Sequence, residues 1–79
     1  MQSYFDFSRH SDVIAYEYGE EYIRIQFSNG DIYLYTYSSA GKHYIESMKS
    51  LADCGDGLSV FIKKYVKNLY ERKEDIELR

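Results

Sequence analysis

Few residues in this chain are placed to do covalent chemistry. The two histidines, His10 and His43, and the single cysteine, Cys54, do not form a zinc-ligand spacing, and one cysteine leaves no intramolecular disulfide. Acid–base catalysis needs carboxylates gathered in a pocket where their pKa values move. Here Glu20, Glu21 and Asp31 lie at expected turns and Glu74, Asp75 and Glu77 in the C-terminal tail, where water surrounds them. No serine sits in a nucleophile motif, and Cys54 has no base near it in sequence. The run Asp53-Cys54-Gly55-Asp56-Gly57 has neither the ligand count of a calcium loop nor the lysine of a phosphate loop. It reads instead as a helix stop followed by a helix cap. The expectation is a protein that is not an enzyme, with no cofactor and no metal.

Binding chemistry is better represented. Ten of the 79 residues are tyrosine. Tyr22, Tyr33, Tyr35 and Tyr37, grouped around Arg24, would give flat π-surfaces beside one guanidinium. Such a patch suits stacking of unpaired bases or contact with a protein partner. Lys63, Lys64 and Lys67 form a basic helix side that would take a phosphate backbone in a salt-dependent way. The plainer reading of each feature is a shielded sheet face and a solvated helix face.

These residues depend on a hairpin for their position. Tyr22 to Tyr37 alternates apolar and polar residues around Asn29-Gly30, the strongest short-range hairpin signal. A two-residue type I′ turn there pairs Phe27 with Ile32, Gln26 with Tyr33, Ile25 with Leu34 and Arg24 with Tyr35. One face then carries Ile23, Ile25, Phe27, Ile32 and Leu34, and the other carries the tyrosines and Arg24. A strand over 11–18, joined through a turn at Gly19-Glu20, sets Tyr16 opposite Ile23 and Ile14 opposite Ile25. Ser38 or Ser39 caps a helix over 40–52, which stops at Gly55. Asp56 caps a second helix over 57–71, whose stripe is Leu58, Phe61, Ile62, Tyr65, Val66 and Leu69. The expected fold is α+β: a three-stranded antiparallel β-meander followed by two helices packed on one face.

The order and spacing of these motifs resemble the KTSC domain, a small module found alone in bacteria and phages or at the C-terminus of some lysyl-tRNA synthetases. The likeness covers roughly 11 to 70. It rests on the strand leading to Tyr16, on Phe27-Ser28-Asn29-Gly30-Asp31-Ile32-Tyr33-Leu34-Tyr35, on Ala52, and on Gly57-Leu58-Ser59-Val60-Phe61-Ile62-Lys63-Lys64-Tyr65. The family's Val-Pro before the first helix is replaced by Ser38-Ser39. Its Ala-x-Ser-x-Gly segment is matched only loosely, with Cys54 near the serine position, and Ser59 stands where asparagine is common. The resemblance implies a non-catalytic binding accessory.

The expected organisation is an N-terminal extension (1–10) that packs on the domain, adds an edge strand or docks in a partner, then the domain (11–71) and a charged tail (72–79). A net charge of −3 gives no global attraction to nucleic acid. No apolar run reaches membrane-spanning length and the start lacks a signal-peptide layout, so a cytoplasmic protein with no membrane partner is expected. The expected role is nucleic-acid (RNA) binding through the tyrosines and helix lysines; the alternative is a protein-interaction or self-associating domain.

Overall fold

The computed structural model describes residues 2–4 and 12–74. The elements are β1 (Gln2–Ser3), β2 (Val13–Tyr18), β3 (Tyr22–Phe27), β4 (Ile32–Thr36), α1 (Tyr37–Ala40), α2 (Lys42–Cys54), α3 (Leu58–Phe61) continuing as a π-helical Ile62–Val66, and β5 (Arg72–Glu74). The fold is α+β, but its antiparallel sheet has five strands in the order β1-β2-β3-β4-β5 instead of three. The two added strands are short edge strands from the ends of the chain. Gln2 pairs with Tyr16, which puts part of the N-terminal extension in the sheet. Arg72 pairs with Leu34, so the start of the charged tail is a strand. The expectations for 1, 5–11 and 75–79, including the start of the strand expected over 11–18, lie outside the described residues.

The turn at Asn29-Gly30 forms, but not as a two-residue loop. Phe27 O accepts from Gly30 N at 2.8 Å, and Phe27 N donates to Asp31 O at 2.9 Å. Gly30 has φ +96°. This is a three-residue loop, Ser28-Asn29-Gly30, closed by a bulge glycine, and it is one of the standard hairpin solutions. It gives the loop partners a two-residue turn would not. Asn29 Oδ1 accepts from Asp31 N at 3.0 Å, and Ser28 N donates to Asp12 O at 2.7 Å.

One extra loop residue moves the β3–β4 register by one. Ile25 faces Tyr33, Ile23 faces Tyr35 and Arg24 faces Leu34. Because side chains alternate with period two, every β4 side chain changes face relative to the expected hairpin. Tyr33 and Tyr35 join Ile23, Ile25 and Phe27. Ile32 and Leu34 join Tyr22, Arg24 and Gln26.

The β2–β3 turn is also displaced, with a milder result. Gly19 N donates to Tyr22 O, making Glu20-Glu21 the central pair, and Tyr16 faces Ile25 where Ile23 was expected. A shift of two leaves sidedness intact. A Cβ on Gly19 would come within 2.5 Å of the Tyr22 ring, so glycine here makes room for that ring. A bulge between Val13 and Ala15 turns Val13 into the core and leaves Ile14 exposed, not paired with Ile25 as expected.

The chain leaves β4 through a capping box. Thr36 Oγ1 accepts from Ser39 N, and Ser39 Oγ accepts from Thr36 N, both at 3.0 Å. The cap is therefore Thr36, not Ser38 or Ser39, and the helix starts earlier than expected. Gly41, with φ +96°, separates α1 from α2, and Gly55 ends α2 in the left-handed conformation. Gly57, not Asp56, stands at the start of α3, with no side-chain cap.

The main core joins Val13, Tyr16, Ile23, Ile25 and Tyr35 of the sheet to Ile45, Met48 and Ala52 of α2 and to Leu58, Ile62 and Val66, with Tyr4 at its edge. The Tyr4 hydroxyl accepts from Leu58 N at 3.3 Å. Leu58, Ile62 and Val66 are four residues apart. In an α-helix of 3.6 residues per turn that row drifts around the axis; widening over Ile62–Val66 keeps it facing the core. Tyr65 and Leu69, expected in the buried stripe, are consequently exposed, and Phe61 is half-buried.

Candidate functional site

The eight residues singled out in the sequence do not form one patch. On the sheet face opposite the main core, Arg24 is tied down. Its Nη1 lies 3.1 Å from Glu17 and its Nε 3.0 Å from Glu74, with the guanidinium 5.0 Å from the Tyr22 ring centre. A second arginine, Arg72, also reaches Glu74, at 3.1 Å. Arg24 neighbours the buried Ile32 and Leu34, not Tyr33 and Tyr35. An open tyrosine platform around Arg24 is thus contradicted by the register.

Tyr37 lies in α1, away from this face. Its hydroxyl donates to Glu46 at 2.6 Å, which holds the phenol pKa up at about 12 and the Glu46 carboxyl below its ordinary range. Lys49 completes the group. Its ammonium reaches Glu46 at 2.9 Å and Glu20 O at 2.8 Å, and it sits over the rings of Tyr18 and Tyr37. Nearby, Asp53 accepts from both the Tyr16 and the Tyr18 hydroxyls, at 3.0 and 2.7 Å. Burial, then this bond, raises the Tyr16 phenol to about 12. These contacts tie the sheet to α2; they are structural.

The other four residues meet in part. Between the β3–β4 hairpin tip and the last helix lies a cleft of about 430 Å³, in the size range of small-ligand sites. Its lining includes Phe27, Tyr33, Tyr35, Lys63 and Lys67, with Asp12 on the rim. Tyr35 is only 1 % exposed and serves as the wall behind the cleft; burial pushes its phenol well above the ordinary range. Tyr33 is half-buried. Phe27 and its ring pack edge-to-face at 5.5 Å, and Tyr70 and its ring do so at 4.7 Å, which restrains the Tyr33 side chain from two sides. Tyr70 also packs edge-on to Tyr35 at 6.3 Å.

The polar rim has an uneven charge balance. Lys63 pairs with Asp12 at 2.9 Å, through side chains that are both largely exposed. Lys67 is exposed and makes no ion pair among the described residues. Lys64 lies outside the cleft, its ammonium 5.4 Å from the Tyr65 ring centre. Among the described residues the arrangement sets an aromatic surface beside Lys67, which makes no ion pair, and Lys63, whose pair with Asp12 is exposed.

Phe27 and Asp12 were not read as site residues in the sequence. Asp12 reaches the cleft because Val13 pairs with Phe27 across the bulge, which sets Asp12 beside Ser28. Alternation alone could not reveal this, since it depends on a bulge. Among the described residues no cluster of histidine, cysteine, aspartate or glutamate is arranged to hold a metal ion, and no helix is long and apolar enough to cross a membrane. No protein-family model matches the chain, and no curated protein and no solved structure matches it either.

Proposed function

We propose that the chain is a KTSC-like, non-catalytic binding module, and that its ligand is single-stranded nucleic acid held at the cleft between the β3–β4 hairpin and the π-helical turn that continues α3. The observation that carries this reading is the exposed Lys67, without an ion pair among the described residues, beside the rings of Tyr33 and Phe27. An aromatic surface stacks any base, each stack contributing about 1–3 kcal/mol, while a neighbouring ammonium takes the phosphate. With a net charge of −3, attraction would be local to this edge, not spread over the surface. Lys64, Tyr22, Arg24 and Tyr37 have no part in this version of the site. A cytoplasmic location belongs to the same reading.

The test is a titration of fluorescein-labelled single-stranded RNA and DNA at two salt concentrations, comparing the native chain with Lys67→Gln and, as a control on α2, Lys42→Gln. Saturable, salt-sensitive binding that weakens with Lys67→Gln alone is the expected result. Absence of binding at low salt overturns the reading.

A second reading, contact with a protein or with a second copy of the chain, is favoured by one observation. Val60 is 68 % exposed and Tyr65 44 % exposed, next to a surface group in which Tyr44, Phe61 and Tyr65 lie within 6 Å of one another. Sedimentation of the protein alone over a wide concentration range tests self-association; a concentration-independent monomer removes that form of it.

A further inference from the structure

Among the described residues the cleft lining has one acidic side chain, Asp12, and a carboxylate is an obstacle to phosphate unless it has its own task. Three observations give it one. Its main chain is held at the hairpin tip by the 2.7 Å bond from Ser28 N, so the carboxylate springs from a fixed point on the rim. The Asn29 amide, also in the lining, is engaged within the turn, where Oδ1 accepts from Asp31 N and Nδ2 donates to Asp31 Oδ2 at 3.3 Å, while the Ser28 and Tyr33 hydroxyls are neutral and carry no charge to match a base edge. The partner of Asp12 is Lys63, in an ion pair exposed enough to open at little cost.

A base lying against Tyr33 would therefore meet an ionised carboxylate, which accepts hydrogen bonds and donates none. Guanine offers two adjacent donors on its Watson–Crick edge, N1–H and the N2 amino group, which match the two carboxylate oxygens. Adenine and cytosine each set one amino donor beside a ring-nitrogen acceptor, so the second carboxylate oxygen meets a lone pair. Uracil sets its single N–H between two carbonyls. Accepting from guanine would also release Lys63 to join Lys67 on phosphate.

We infer that Asp12 is the specificity-determining residue of the cleft and selects guanine; the inference rests on the nucleic-acid reading above. The probes are fluorescein-labelled trinucleotides of sequence UGU, UAU and U-inosine-U, inosine lacking the N2 amino group, followed by fluorescence anisotropy at low salt. The native chain should bind UGU about tenfold or more tightly than UAU, with the inosine probe between them. Asp12→Asn and Asp12→Ala should each abolish that preference while retaining binding, because a negative charge leaves the rim. Lys67→Gln should weaken all three probes alike and keep their ratios. Equal binding of UGU and UAU by the native chain, or a guanine preference that survives both Asp12 variants, overturns the inference and leaves the broader reading standing. Failure of the native chain to bind any of the three overturns both.

Discussion

Ile23 and Tyr35 stand directly opposite each other across β3 and β4, and both are buried, Ile23 completely and Tyr35 to within 1 %. This pairing decides what the hairpin's tyrosines are for, because it sets Tyr35 in the core instead of on an open platform. Replacing Tyr35 with alanine should cost about 3–5 kcal/mol, as for other large aromatic truncations. Tyr22→Ala, on the opposite face and half-buried over Gly19, should cost about 1 kcal/mol. Urea unfolding of the two variants measures the difference. Equal costs would mean that the two tyrosines share a face.

The loop that sets this register needs Gly30 in its left-handed conformation, with open space where a side chain would go. Gly30→Ala should thus destabilise through the backbone alone, by about 1–2 kcal/mol, with no clash to relieve. The same titration in urea reads it, and an unchanged midpoint would count against the bulge.

The widened turn over Ile62–Val66 makes a sharper prediction about the last helix. Leu58→Ala, fully buried, should cost about 2–5 kcal/mol. Tyr65→Ala should cost about 1 kcal/mol, what its ring contacts with Tyr44 and Phe61 supply. A regular α-helix would turn Tyr65 inward and bring the two costs together.

Alkaline pH should unfold the protein earlier than its charge alone suggests. The phenols of Tyr16 and Tyr37 ionise at about 12 in the folded chain against an ordinary value of 10.0. A raised folded pKa contributes stability that is fully present below the unfolded value and is lost as pH rises through the folded one. Thermal melts should hold steady up to about pH 10 and fall between about 10 and 12. Asp53→Asn removes the charge that both Tyr16 and Tyr18 hydroxyls face, so tyrosinate absorbance should appear at lower pH in that variant.

If Lys63 and Lys67 each neutralise one phosphate, the logarithm of single-strand affinity should fall against the logarithm of salt with a slope of about −1.4. Lys67→Gln should reduce its magnitude to about 0.7. A slope near zero would mean that neither lysine meets phosphate.

Much of this fold is legible from the residues. The α+β class, the three central strands and the helix that stops at Gly55 follow from period and punctuation. What sequence could not decide was how many residues the Asn29-Gly30 loop holds. Asn-Gly suits a two-residue turn and a three-residue turn with a bulge glycine equally, yet the two place Tyr33 and Tyr35 on opposite faces. The stripe in the last helix failed for a similar reason, since a 3.6-residue period cannot foresee a turn that widens. An N-terminal edge strand is among the expected readings and forms at Gln2–Ser3, whereas the strand at Arg72–Glu74 was illegible because three charged residues carry no pattern. Of the eight candidate residues, Tyr33, Tyr35, Lys63 and Lys67 line one cleft, and the register shift that puts the two tyrosines there separates them from Tyr22 and Arg24.

The edge strand β5 has a consequence for solution behaviour. It is Arg72-Lys73-Glu74, charged at every position, and it lies along Ile32-Tyr33-Leu34, a stretch of β4 with no charge at all. Bare, that stretch would be an uncharged, β-prone edge able to recruit the same stretch from another molecule. With β5 in place the outermost row is one that resists fibrillar stacking, so three charged residues act as a gatekeeper for the chain's most aggregation-prone strand.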